Sequence, residues 1–241
     1  MTDFKYFLLK VKFMPSVIED LKEKIEDMQN TKINNSEETI REKVKREQND
    51  EWTEKHVEAI INTILAMYQN WDKTAEPRLM EYQENYHHIS TLGEMNKLID
   101  SMDEKEFCKK VLGFNITKNH FWRYEMLKEM VNTFIKYQTD NKLDSDKAAM
   151  VLWAENFDPS NENDPIMRIN NVGLATVQNL RLCLGIDTVK PDVHVKKALE
   201  EIGLGNEIQI CELISELTGM SCRNLDQIFW YWGQNKSNEN K

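Results

Sequence analysis

Glycine and proline are scarce in this 241-residue chain, at 8 and 5 residues. So few of the residues that make tight turns argues against a hairpin-rich β fold and predicts a mostly helical protein. Cysteine is scarce too. Cys108, Cys183, Cys211 and Cys222 are separated by 75, 28 and 11 residues, which matches no zinc or iron–sulfur spacing and predicts reduced, mostly buried thiols. No apolar run approaches the roughly 20 residues that span a bilayer. The opening stretch MTDFKYFLLKVKFMP lacks the apolar core and cleavage site of a signal peptide. A soluble, intracellular protein with no membrane partner is expected, cytoplasmic and nucleoid-associated or else nuclear. Positive charge is also in deficit, 31 Lys and Arg against 41 Asp and Glu. A net charge of −10 argues against coating nucleic acid through bulk attraction but does not exclude a local basic face.

The chain does have ample apolar residues, 40%, set at helical spacing. Phe4 to Phe13 alternates and reads as a short strand or extended arm. Ser16 to Glu19, Thr91 to Glu94 and Ser101 to Glu104 read as capping boxes that open helices. Residues 30–50 are polar and read as an exposed connection or solvated helix. Val57, Ile60, Ile61, Ile64, Leu65 and Tyr68 form a buried-helix stripe, and Asp144 or Ser145 caps a helix through Trp153. Residues 156–164 form a loop, and helical patterns resume over 176–184, 193–202, 208–217 and 225–232. About ten helices are expected.

Asn170-Asn171-Val172-Gly173-Leu174-Ala175-Thr176 is the informative run. Asn171 and Gly173 are residue types that tolerate positive φ, and a helix starts directly after them. Its first amides lack intrahelical partners and can hold a phosphate oxygen without side-chain charge. Nineteen residues after Gly173, Asp192 follows Pro191 and precedes a periodic helix, so it reads as an N-cap.

Together, Asn171-Val172-Gly173, the spacing and Pro191-Asp192-Val193-His194 resemble the helix-hairpin-helix DNA glycosylase superfamily, endonuclease III among them. The likeness extends over about residues 50–205. Ile60 to Lys73 resembles the early core helix, with Gln69 on the glutamine that enters the DNA stack. Gly113 to Lys118 resembles the turn before the helix carrying a lysine. The resemblance implies an all-α, two-lobed fold with residues 1–56 packing on the C-terminal lobe. A central lobe would span 57–165, and the hairpin, aspartate helix and C-terminal helices 166–241. It also implies Asp192 as the catalytic carboxylate, a double-stranded DNA partner and a monomer. Asn171, Gly173, Ala175, Thr176, Gln69, Lys118 and Lys190 would contact DNA, while Tyr68, Trp71, Trp122 and Trp153 are candidates to line a base pocket.

Several departures shape the expected activity. The lysine that forms a Schiff base in bifunctional members is replaced by Ala175, so β-elimination is not expected. The four-cysteine cluster is missing, so no iron–sulfur cluster, other metal or organic cofactor is expected, beyond a monovalent cation that hairpin carbonyls could hold. The loop over 155–168 is longer than in compact members. A monofunctional base-excision N-glycosylase is the leading expectation. A catalytically inactive DNA-binding protein of the same fold is the alternative, and an unrelated helical interaction protein a third reading. Charge by segment bears on this choice: residues 105–136 carry +4 and 166–199 carry +3, leaving −17 for the rest.

Overall fold

The computed structural model describes residues 15–34, 36–47, 55–114, 121–204 and 208–239. The protein is all-α, and among the described residues only an isolated antiparallel bridge, Lys32 with Thr39, has β pairing. The arm expected at Phe4 to Phe13 lies outside the described residues, as does Lys118. Twelve α-helices are described, and the chain divides into two compact units, 1–50 with 187–241 and 51–186.

The 51–186 unit is built on α3 (His56–Ala66), an apolar helix whose residues are buried almost all round, as expected of a helix inside a core. A π-helical turn, Trp71–Ala75, leads from it into α4 (Glu76–Tyr86). Next come α5 (Leu92–Asp100), α6 (Glu104–Lys110), α7 (Phe121–Asp140), α8 (Asp146–Asn156) and α9 (Leu174–Cys183). Ile60, Ile64, Leu92, Phe107, Leu127, Phe134, Val177 and Leu180 join one core. Residues 166–186, grouped on sequence with the C-terminal helices, pack in this unit instead, because Ile166, Ile169, Val177 and Leu180 point into that core.

Local chemistry sets the helix boundaries. Thr91 makes the expected capping box with Glu94, and Ser145 caps α8 through Ala148. At Ser101 the expectation misses by two residues. Ser101 closes α5, its hydroxyl donating to the Leu98 carbonyl at 2.7 Å, and Asp103 caps α6. Ser16 lies inside α1 (Pro15–Asn30), which begins at Pro15.

The other unit holds α1 (Pro15–Asn30), α2 (Ile40–Glu47), α10 (Val193–Glu201), α11 (Ile208–Thr218) and α12 (Cys222–Glu239). Of the two readings of the polar stretch 30–50, the helix is found, over Ile40–Glu47, where Ile40 and Val44 fall on one face and are buried. Asn235 ties this stretch down, accepting the Asn34 N–H at 3.2 Å and donating to the Lys32 carbonyl at 2.8 Å. Helices α10 and α12 cross at Gly233, where a Cβ would lie 2.4 Å from the His194 carbonyl oxygen. Only glycine fits there. No described helix is long and apolar enough to cross a membrane.

Candidate nucleic-acid interface and catalytic carboxylate

The hairpin belongs to the 51–186 unit. Trp153 and Asp164 prepare it: buried Asp164 accepts the indole N–H at 2.9 Å with one oxygen and the Ile166 and Met167 amides, each at 2.9 Å, with the other. The loop over 157–165 is thereby locked to α8. The Val172 N–H then donates to the Ile169 carbonyl at 3.0 Å, and Asn171 takes φ +67°, the left-handed conformation its side chain tolerates. Gly173 caps α9 in extended geometry without a side-chain bond. Its φ of −121° suits any residue, and a Cβ there would meet nothing within 4 Å. Neither strain nor packing calls for glycine. Its lack of a side chain keeps the approach to the first α9 amides open.

Those amides are Leu174 and Ala175, on half-buried residues. Thr176 is a correction: its side chain is buried, and its N–H already donates to the Gly173 carbonyl at 2.9 Å. Arg168, three residues before Asn171 and exposed, is a cation that sequence reasoning counted only in the net charge.

Of the four aromatic candidates, Trp153 is the second correction. It is buried against Phe134 and Phe157, with its N–H spent on Asp164, so it belongs to the core. Trp71 is half-buried against the same core. Tyr68 is 83% exposed, takes φ +55° just beyond α3, and meets Trp122 edge-on at 6.1 Å. Left-handed geometry in a bulky residue costs about 1–3 kcal/mol and needs support from around it. Arg123 supplies that support. Only 2% exposed, its guanidinium donates to the Met67 carbonyl at 2.6 Å and lies over the Trp122 and Phe114 rings. Burial, with the charge of Arg78, which also lies over the Phe114 ring, pushes its pKa down to about 10. Gln69 and Asn70 follow Tyr68, with Gln69 half-buried and Asn70 capping the π turn through the Lys73 N–H at 2.8 Å.

Asp192 belongs to the other unit, as the N-cap of α10. Its Oδ1 accepts the amides of His194 at 2.9 Å and Val195 at 3.0 Å, leaving Oδ2 at 4.0 Å from the Lys190 ammonium. Half-buried and beside the helix's positive end, the carboxylate is fixed in direction. Lys190, a candidate DNA contact, therefore turns its charge toward Asp192. Next to Asp192, Val193 is a 71% exposed apolar side chain. The His194 ring packs edge-on against Trp230 at 5.9 Å, its buried Nδ1 without a hydrogen-bond partner.

Asp226 on α12 escaped sequence reasoning, because a single Asp beside the Leu225, Ile228, Phe229 stripe looks like any flank of a buried face. It accepts the Lys190 N–H at 2.6 Å. Burial, opposed by that hydrogen bond and reinforced by the charge of Asp192, pushes its carboxyl up to about 7.

Among the described residues no cluster of three or more His, Cys, Asp or Glu could hold a metal ion. Cys108, Cys211 and Cys222 are buried thiols and Cys183 is half-buried. Burial pushes the Cys108 and Cys222 thiols up to about 11, the reverse of what a reactive cysteine needs.

No protein-family model matches the chain, and no curated protein does. A solved structure of MBOgg1 in complex with a low affinity DNA ligand is similar over 76% of this chain, at 16% identity and a TM-score of 0.47, and the chain spans 61% of that structure's length.

Proposed function

We propose that the protein is a monofunctional DNA N-glycosylase that hydrolyses the bond between a damaged or mispaired base and its sugar. The carrying observation is Asp192, a carboxylate locked by two helix amides through one oxygen with the other left for chemistry. As the base leaves with the bonding electron pair, positive charge builds on the sugar, and a fixed carboxylate lowers that barrier. Water then bonds to the anomeric carbon. One of its protons passes to Asp192 and the departing base takes a proton from solvent, so the products are free base and an abasic site. Ala175 offers no amine for a Schiff base, so the strand stays intact.

DNA binding is assigned to the open amides of Leu174 and Ala175 on one phosphate, with Arg168 beside them. Asn171 shapes the turn, and Tyr68 with Gln69 would fill the gap that an extruded nucleotide leaves. Ala175 and Asn171, the two departures in the hairpin, favour a second reading, a DNA-binding module of this fold without catalysis.

Duplexes carrying alkylated, deaminated or oxidised bases, incubated with the protein and then treated with alkali, separate the two readings. Strand breaks that appear only after alkali are the expected result. Salt-sensitive binding to a duplex with an abasic-site analogue, without base release from any member, favours the module. Binding that is absent or insensitive to salt contradicts both.

A further inference from the structure

Asp192 does not stand alone in its unit. Asp226 accepts the Lys190 N–H at 2.6 Å, and the Lys190 carbonyl accepts the Asp192 N–H at 2.7 Å, closing a tight turn on Pro191. The Lys190 ammonium also reaches to 4.0 Å from Asp192 Oδ2. One residue thus joins the Asp226 carboxylate to the backbone of Asp192, with its ammonium turned to the Asp192 carboxylate. We propose that Asp226 is a positioning residue of the same site, a second carboxylate that holds Asp192 through Lys190 and adds its charge to the one Asp192 presents to the sugar. This rests on the reading of Asp192 as the carboxylate that faces the reacting sugar.

The surroundings of Asp226 are specific. Burial and the charge of Asp192 raise its affinity for a proton, while the Lys190 amide and the charges of Lys190 and Arg223 lower it. Helix α11 and the start of α12 face it with the Cys211 and Cys222 thiols, both pushed up in part by its charge, and Asp187 and Glu212 act on Cys222 as well. Helix α10 brings His194 against α12 one turn further on, at Trp230, and α2 brings Lys43 and Glu47 to Tyr231. For a purely structural link an asparagine would do, since its carbonyl accepts the same N–H without the cost of desolvating a charge. What the carboxylate adds is charge, and that charge appears as pH rises through about 7.

The test uses the full chain and two duplexes that differ only in the abasic-site analogue, a neutral tetrahydrofuran or a pyrrolidine whose ring ammonium stays protonated from pH 6 to 8. The ratio of their Kd values cancels the phosphate contacts and reads negative charge at the sugar. In the wild-type protein the preference for the cation should grow about 3- to 10-fold from pH 6 to 8. In Asp226→Asn it should stay level, and in Asp192→Asn it should be smaller at every pH. A carboxyl carbon-13 titration of the wild-type protein, with Asp226 assigned by its loss in the variant, should show a midpoint near 7. A cation preference that rises equally with and without Asp226, or a midpoint below 5, overturns the proposal and leaves Asp192 standing. No cation preference in the wild-type protein at any pH overturns the reading of Asp192 itself.

Discussion

Asparagine caps a helix about as well as aspartate, because its side-chain carbonyl accepts the same amides. Asp192→Asn therefore separates the two roles of this residue. Thermal stability should stay within about 0.5 kcal/mol of wild type, while Asp192→Ala should lose about 1 kcal/mol in a thermal or denaturant melt. Asp226 makes the opposite case. Its raised carboxyl holds a proton in the folded chain that the unfolded chain has already shed, between about pH 4 and about 7. Stability should therefore fall as pH rises across that window and level off above it. Asp226→Asn removes the penalty, so its melting temperature should exceed wild type at pH 8 and match it near pH 4. A variant less stable than wild type at pH 8 would contradict this.

At the scale of elements, two glycines make contrasting predictions. Gly233→Ala would drive a Cβ to 2.4 Å from the His194 carbonyl, forcing α10 and α12 apart at a cost of about 1–3 kcal/mol, or roughly 2–4 °C per kcal/mol in a protein this size. Gly173→Ala meets nothing within 4 Å and should melt as wild type does, yet weaken binding to an abasic-analogue duplex by blocking the approach to the α9 amides. Reduced stability with unchanged binding would reverse the account of Gly173.

Elements also show why some features are legible in sequence. A cap depends on residues three apart, so Thr91, Ser145 and Asp192 can be read directly, and the slip from Ser101 to Asp103 came where two capping residues stand two apart. The α3 core stripe is legible for the same local reason. The aromatics are not, because helical spacing marks a face as apolar without saying whether it is covered. Trp153 is buried by Phe134 from α7 and by Phe157 and Asp164 from the loop that folds back after α8, while Tyr68 is turned outward by a left-handed backbone held from α7. The link between Asp226 and Lys190 joins residues 36 apart and leaves no trace in local spacing.

Across the whole molecule, counting charge by segment overstates what is available to phosphate. Arg123 is buried on the Met67 carbonyl, and Arg181 is committed to the Ala154 carbonyl and to Gln178, both at 2.8 Å. Lys190 faces Asp192. With those cations engaged and a net charge of −10, non-specific binding to intact duplex should be weak and fade quickly with salt. Arg168→Ala should weaken binding about uniformly across sequences and reduce the slope of log affinity against log salt by about 1. An unchanged slope would remove Arg168 from the interface.

The proposed role of Asp192 in cleaving base–sugar bonds is tested by alkali-revealed base release by wild type and Asp192→Asn on the same lesion panel. Release by wild type from at least one duplex is expected, with no strand break before alkali, and a loss of about 10²- to 10⁴-fold in the variant at unchanged melting temperature. Equal release by the two proteins, or none by wild type, would contradict that role.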